Sequence, residues 1–184
     1  MSFLIARSLD EALTAMSAGA RPIAGGTDLV VGARHGKAAL PQHLVAIDRI
    51  PGLADVTVSP AGISLGAAVS HHTIETHPLI AATYSALADG SALVGSPSTR
   101  HVGTVGGNVM NASPAMDTGA GLTVLDAEVE LRSVAGTRRI SLADLWTGPG
   151  RTAARPDELC VAVHLPAPPA RSGSAYLRLE YRRA

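Results

Sequence analysis

The chain has 184 residues, of which 46% are hydrophobic and 16% charged, so it can bury a core and is not of the disordered class. Fifteen basic residues balance fifteen acidic ones without a basic block, which makes nucleic acid and acidic membrane surfaces poor candidates for partners. A single cysteine, Cys160, excludes an internal disulfide and an all-cysteine iron–sulfur or zinc site within this sequence.

No apolar run approaches the ~20 residues that a membrane-spanning helix needs, and the first residues lack the apolar segment of a signal peptide. A reducing compartment suits a chain with one cysteine. We therefore expect a cytoplasmic protein without membrane insertion, built as one domain or two small lobes.

The first 55 residues predict the order β-α-β-α-β. Short strands are expected at residues 3–5, 21–24 and 44–47. Ser8 and Glu11 have the spacing of a capping box at the start of the first helix. A second helix is expected from Leu29 to about His35. This order favours a small, mostly parallel sheet.

The rest of the chain has a different order of predicted elements, with two hairpin signals and several helices. A Ser-Pro-Ala-Gly turn joins strands at 56–58 and 63–65, and an Ala-Gly turn joins strands at 128–133 and 138–141. Helices are expected after Ser70, over 78–88 and near 121–125. A loop is expected over 101–117, and strands are expected at 159–165 and 174–182. The predicted class is α+β and two-lobed, with a β-α-β lobe over 1–55 and a larger lobe over 56–184 that combines an antiparallel sheet with helices.

The first of two glycine-rich loops, Ala24-Gly25-Gly26-Thr27-Asp28-Leu29, links a strand to a helix. Glycines let backbone amides approach a ligand closely, and a helix N-terminus carries partial positive charge, so the loop suits an anion. A tight turn with Thr27 as the helix cap explains the same residues without any ligand.

The second loop, Gly103-Thr104-Val105-Gly106-Gly107-Asn108, offers consecutive amides, a hydroxyl and a carboxamide. Asp117 follows it and can accept hydrogen bonds from sugar-type hydroxyls. A structural turn is again the alternative, but one ligand that carries a diphosphate and lies between the lobes would use both loops. Neither loop is a G-x-G-x-x-G fingerprint or a P-loop, so a Rossmann domain and a P-loop nucleotidase are not supported.

Candidate catalytic and metal-binding residues are not predicted. The second loop and its surroundings contain no acid–base pair and no nucleophile beside a base. His71, His72 and His77 lack a fixed ligand spacing, and we expect them to be solvated surface residues.

The pair PIAGGTDL (22–29) and TVGGNVMNASPAMD (104–117) resembles the FAD-binding domain, or medium flavin subunit, of the xanthine dehydrogenase and carbon monoxide dehydrogenase family of molybdenum hydroxylases. Further segments agree in order and spacing, among them LVAIDRIPGL (44–53), GISLGAAVS (62–70) and PDELCVAVHLP (156–166). The resemblance therefore covers essentially the whole chain. Family subunits usually continue into a small C-terminal domain, which we expect this chain to lack.

In that family both loops hold an extended FAD. The resemblance implies that residues 23–28 donate amides to the diphosphate, that the second loop completes the cradle, and that Asp117 holds a sugar hydroxyl. Val94, Cys160 and Arg178 fall at positions near the flavin or adenine. The implied cofactor-binding residues are Ile23, Ala24, Gly25, Gly26, Thr27, Asp28, Leu29, Val94, Thr104, Gly106, Gly107, Asn108, Asp117, Cys160 and Arg178.

The function implied by the resemblance is that of an FAD-binding, electron-transferring oxidoreductase component. Substrate would be oxidised on a molybdopterin large subunit, and electrons would pass through [2Fe–2S] clusters on a small subunit to this flavin and then to NAD, a quinone or oxygen. The alternatives are a stand-alone flavin-binding accessory protein or fragment without turnover, an independent flavoenzyme of the same wider fold, and a structural protein without flavin.

Overall fold

The N-terminal lobe is a parallel sheet with two connecting helices, as the sequence predicts. A computed structural model of the protein describes residues 1–36 and 38–179. The strands of this lobe are β1 (Ser2–Ile5), β2 (Arg21–Ile23) and β3 (His43–Ala46), in the order β1-β3-β2 with parallel pairing throughout. They are connected by α1 (Leu9–Ser17) and α2 (Thr27–Arg34).

Helix α1 begins at a side-chain cap. The Ser8 hydroxyl accepts a hydrogen bond from the Glu11 amide at 3.2 Å, and the Glu11 carboxylate accepts one from the Arg7 amide at 2.7 Å. The helix ends before Gly19, whose φ of 92° lies in the left-handed region that glycine tolerates. Leu13 and Met16 face inward and are buried.

The larger lobe is built on an antiparallel sheet in the spatial order β4-β5-β10-β6-β7. Both predicted hairpins and the central strand are confirmed. The strands are β4 (Val56–Ser59), β5 (Gly62–Gly66), β6 (Glu128–Ser133), β7 (Gly136–Ser141), β8 (Trp146–Gly148), β9 (Arg151–Thr152) and β10 (Leu159–Pro166), with β8 and β9 forming a separate ribbon. The helices are α3 (His71–Thr76), α4 (Pro78–Thr83), α5 (Ser85–Ala92), α6 (Pro97–Val102), α7 (Val105–Asn111), α8 (Asp117–Val124) and α9 (Leu142–Leu145).

Strand β10 belongs to both hydrophobic cores. Leu159 and Val161 pack into the N-terminal lobe's core, whereas Cys160 and Val163 pack into the core of the larger lobe. The pairing of β10 with β6 is irregular between Cys160 and Ala162, and such a bulge changes which face of a strand successive side chains occupy. The lobes are therefore joined through shared apolar packing as well as through the chain.

The prediction of a loop over 101–117 is wrong, because α7 occupies its centre and α8 begins at Asp117. The Thr104 hydroxyl caps α7 by accepting the Gly107 amide, and the amides of Val105 and Gly106 donate to carbonyls of the strand-to-helix segment 67–69. Glycine has low helix propensity, so it is these contacts with the rest of the fold that hold a glycine-rich segment in a helix.

The predicted strand at 174–182 is also wrong over 174–179, where the chain forms neither strand nor helix; residues 180–182 lie outside the described residues. Ser174 Oγ accepts a hydrogen bond from the Ala86 amide at 3.1 Å, and Tyr176 donates to Asp117. The segment is thus tied to α5 and α8 by side chains. None of the described helices is long and apolar enough to cross a membrane.

Candidate functional site

The two glycine-rich loops meet at one cavity of about 980 Å³, which residues of both lobes line. A Cβ built on Gly25 would come within 1.9 Å of the carbonyl oxygen of Val102, at the end of α6. Two backbone segments from different lobes approach this closely only where one residue has no side chain. Gly25 therefore brings the first loop against the second.

The first loop leaves the N-terminus of α2 open. Gly26 is the N-cap residue, with φ at 68°, and no side chain caps the helix. In the described part of the chain, the first-turn amides of Thr27, Asp28 and Leu29 donate to no acceptor. Thr27 is thus the first helical residue rather than the cap, and the three amides are available to an anion at the cavity wall.

The second loop uses its amides differently. Gly106 donates to the Ala67 carbonyl at 2.9 Å, Gly107 to the Thr104 hydroxyl at 3.2 Å, and Asn108 to the Thr104 carbonyl at 2.9 Å. A Cβ on Gly106 would lie 2.6 Å from the Ala67 Cβ, so this glycine serves close packing. Gly107 is exposed and lines the cavity, where no side chain projects from it toward a ligand.

Asp117 and Arg178 lie together, at a second cavity of about 660 Å³ beyond the C-terminal end of α7. Asp117 Oδ1 accepts hydrogen bonds from Arg178 Nη1 at 2.9 Å and from the Tyr176 hydroxyl at 3.1 Å. Burial and the hydrogen bond to Asp117 raise the pKa of Tyr176, which therefore stays a donor. The remaining predicted site residues all line the larger cavity.

Val94 and Cys160 both line the larger cavity. Cys160 is only 4% exposed, and burial raises the pKa of its thiol to about 12. A thiol in this state is not a nucleophile and behaves as a small apolar side chain.

The structure adds an ion-pair cluster that the sequence analysis missed. The buried carboxylate of Glu158 accepts two hydrogen bonds from Arg138, at 2.6 and 2.8 Å, and one from the Arg155 amide at 2.7 Å. Hydrogen bonding to Arg138 holds the pKa of Glu158 below its usual value. Glu158 and Arg155 line the larger cavity, as does Arg21. Glu158 and Arg155 lie a few residues before Cys160 in the sequence, which was the one signal that could have found them.

The prediction that the histidines are solvated surface residues is wrong for His71, which is 1% exposed and lines the larger cavity. Its position at the start of α3, under the second loop, accounts for this burial. Burial lowers the pKa of His71 to about 4. His72 stacks on His101 with ring centroids 3.9 Å apart. Across residues 1–36 and 38–179, no three metal-ligating side chains come together.

The uncapped N-terminus of α2, the glycine-lined walls of the larger cavity and the second cavity at the end of α7 are the features of a two-lobed protein whose cleft suits an elongated anionic ligand. The model of one protein family matches residues 1–168, and its description reads "FAD binding domain in molybdopterin dehydrogenase". The chain belongs to this family of FAD-binding domains.

Curated relatives are similar over most of this chain. The FAD subunit of nicotinate dehydrogenase from Eubacterium barkeri is 38% identical over 165 residues, which is 88% of this chain and 55% of the relative. The medium chain of carbon monoxide dehydrogenase from Afipia carboxidovorans is 33% identical over 168 residues, which is 91% of this chain and 58% of the relative. The chain thus spans little more than half the length of these relatives.

Solved structures agree with the fold. A chain of carbon monoxide dehydrogenase from Hydrogenophaga pseudoflava, in a form lacking the Mo-pyranopterin moiety of the molybdenum cofactor, matches with a TM-score of 0.93 and 26% identity over 99% of this chain and 64% of that one. Quinoline 2-oxidoreductase from Pseudomonas putida 86 matches with a TM-score of 0.86 and 27% identity over 96% of this chain and 65% of that one. The predicted two-lobed α+β FAD-binding fold is confirmed.

Proposed function

We propose that this chain is the FAD-binding, electron-transferring module of a multi-subunit molybdenum-dependent hydroxylase or dehydrogenase. The observation that carries the proposal is the uncapped N-terminus of α2, whose first-turn amides line the cavity shared by both glycine-rich loops. Membership of the FAD-binding family and the names of the relatives as dehydrogenase subunits support it.

The diphosphate of FAD suits the first loop. Phosphate oxygens accept hydrogen bonds from the amides of Thr27, Asp28 and Leu29, and the partial positive charge of the helix end favours an anion there. Charge-assisted hydrogen bonds of this kind are about twice as strong as neutral ones. Arg21 lines the same cavity and adds positive charge, whereas Arg155 is paired with Asp157 and Glu158. Backbone and guanidinium groups together replace the lysine that neither loop contains.

The two cavities follow one another along α7, which suits an elongated cofactor. Helix α7 has seven residues and is about 10 Å long; the larger cavity extends along it from Gly106 to Asn111, and the smaller one begins at Ala112. A ligand that reaches from the α2 amides to Asp117 must run along α7. Extended FAD can span this path with its diphosphate and its sugar-alcohol chain. Asp117 then accepts a hydrogen bond from a hydroxyl of the sugar-alcohol chain.

The redox chemistry is supplied by the bound flavin, and the protein positions it. The thiol of Cys160 is protonated, and the carboxylates of Glu158 and Asp117 are engaged by arginines. These groups hold and shape a cofactor. Membership of the family supports an electron route in which electrons arrive from [2Fe–2S] clusters on a small partner subunit, after substrate oxidation on a molybdopterin large subunit in the cytoplasm.

An absorption spectrum of the purified protein titrated with FAD tests the cofactor assignment. We expect a saturable complex with flavin bands and a raised melting temperature; free FAD with an unchanged melting temperature would refute the proposal. Co-expression with the large and small subunits tests the electron route. The flavin should be reduced by substrate only in the assembled complex, whereas direct reduction of the isolated chain would identify an independent flavoenzyme.

A further inference from the structure

His71 is one of three residues that have a buried polar side-chain atom without a hydrogen-bond partner in the described part of the chain; the others, His77 and Ser91, line neither cavity. The ring of His71 is 1% exposed, and within the described residues its Nδ1 has no hydrogen-bond partner. Buried polar groups almost always have partners, because an unmade hydrogen bond leaves their desolvation uncompensated. Nδ1 is closed off from solvent, so a partner outside the protein chain can reach only Nε2, which keeps accessible surface and makes no hydrogen bond among the described residues.

The ring of His71 lies beside the open end of α2. A Cβ on Gly103 would be 3.3 Å from His71 Cδ2 and 3.6 Å from the Thr27 hydroxyl, so the ring edge that carries Cδ2 and Nε2 faces the start of α2. The backbone holds the ring there, because the His71 amide donates to the Gly103 carbonyl at 3.1 Å. His71 and the first turn of α2 also line the same cavity.

The imidazole of His71 is held in its neutral form by its surroundings. Of the charged side chains that act on it, Glu75 and Arg100 form an ion pair at 3.1 Å, and Asp117 is engaged by Arg178. These acids are already neutralised by arginines, and burial disfavours the imidazolium. A neutral imidazole carries one N–H donor and one acceptor nitrogen.

We propose that His71, as a neutral imidazole, donates a hydrogen bond from Nε2 to a phosphate oxygen of bound FAD beside the first-turn amides of α2. This inference rests on the proposed function, since it takes FAD as the ligand. Three independent features converge on it: the Nε2 edge of the buried ring beside the start of α2, the open amides, and the shared cavity. His71 is thus a binding residue that fixes the position of the diphosphate along the cleft.

The matched control for His71 is His77, at the start of α4. Its Nδ1 is also buried and without a partner among the described residues, but His77 lines neither cavity. His71→Phe and His77→Phe each replace a ring that makes no hydrogen bond to the described residues by an apolar ring. His71→Gln keeps an N–H donor of similar reach.

The experiment is an FAD titration of the parent protein and these three variants, with the melting temperature of each ligand-free variant measured alongside. We expect His71→Phe to raise the FAD dissociation constant by about tenfold or more, as for a lost hydrogen bond to a charged group. His71→Gln and His77→Phe should stay within about threefold of the parent. The ³¹P resonances of bound FAD should shift between the parent and His71→Phe.

Unchanged FAD affinity in His71→Phe, or unchanged ³¹P resonances in its saturated complex, would overturn the contact. An equal loss of affinity in His77→Phe would assign the effect to packing rather than to the ligand. A parent protein that does not bind FAD would instead refute the proposed function, so the two failures are distinguishable.

Discussion

Gly25 and the carbonyl oxygen of Val102 approach so closely that a Cβ on Gly25 would lie 1.9 Å from that oxygen. Neither partner can move alone, since Val102 ends α6 and Gly25 precedes α2. The contact places the open helix end beside the second loop, and the cavity depends on it.

Gly25→Ala should force these segments apart and lower the free energy of unfolding by about 1–3 kcal/mol, as overpacking does. The same substitution should lower FAD affinity, because the α2 amides move away from the second loop. Urea unfolding and FAD titration measure the two effects. Gly32→Ala, within α2 and with open space around its Cβ position, is the control and should stabilise the protein by about 0.5–1 kcal/mol. Normal FAD binding by Gly25→Ala would show that the cavity does not depend on this contact.

Two adjacent glycines of α7 should respond in opposite ways. Gly106→Ala places a methyl group 2.6 Å from the Ala67 Cβ and 2.7 Å from its carbonyl oxygen, so we expect a loss of stability of about 1–3 kcal/mol. Gly107→Val places its Cβ 3.0 Å from the Thr104 hydroxyl, which must shift slightly, and projects into the cavity; it should cost less stability than Gly106→Ala while excluding FAD. Thermal unfolding and flavin titration separate the two outcomes. Unimpaired FAD binding by Gly107→Val would show that Gly107 does not contact FAD.

Elements with local signals were predictable from sequence, and those held by distant contacts were not. The Ser8 cap and the turn that joins β4 to β5 are encoded in adjacent residues. Helix α7 was missed because its glycine-rich sequence opposes a helix and its stability comes from carbonyls of segment 67–69. The strand expected at 174–182 failed over its described part because Tyr176 binds Asp117 from across the fold.

The candidate site shows the same division. The motifs identified the residues around the cavity, but a sequence does not reveal which amides are already used. Only the structure shows that α2 leaves its first turn open while the Thr104 hydroxyl closes that of α7. The buried neutral state of His71 was equally invisible, because adjacent histidines are usually exposed.

Asp117 is predicted to contribute through its charge. Asp117→Asn keeps the shape of the side chain but removes the carboxylate that accepts hydrogen bonds from Arg178 and Tyr176. We expect FAD affinity to fall by about 1–3 kcal/mol, the range for a buried hydrogen bond to a charged group. Isothermal titration calorimetry measures the loss. Asp89→Asn, an exposed change on α5 away from both cavities, should have no effect; a similar loss in both variants would indicate a nonspecific effect of net charge.

The stability of the ligand-free protein should depend on pH through His71. The pKa of its imidazole is lowered from 6.5 to about 4, mainly by burial. Between these values the unfolded chain binds a proton that the folded chain does not, so the free energy of unfolding falls as pH decreases below 6.5. The stability is fully present above that value.

Between pH 7 and pH 5 the contribution of His71 should decrease by about 2 kcal/mol. His71→Gln removes the titrating group, and the difference between parent and variant in urea unfolding at the two pH values isolates it. Carboxylates with lowered pKa values, such as Glu75 and Glu158, lose their contribution only at lower pH and are common to both proteins. An identical pH dependence in parent and variant would show that His71 is not buried as a neutral ring in solution.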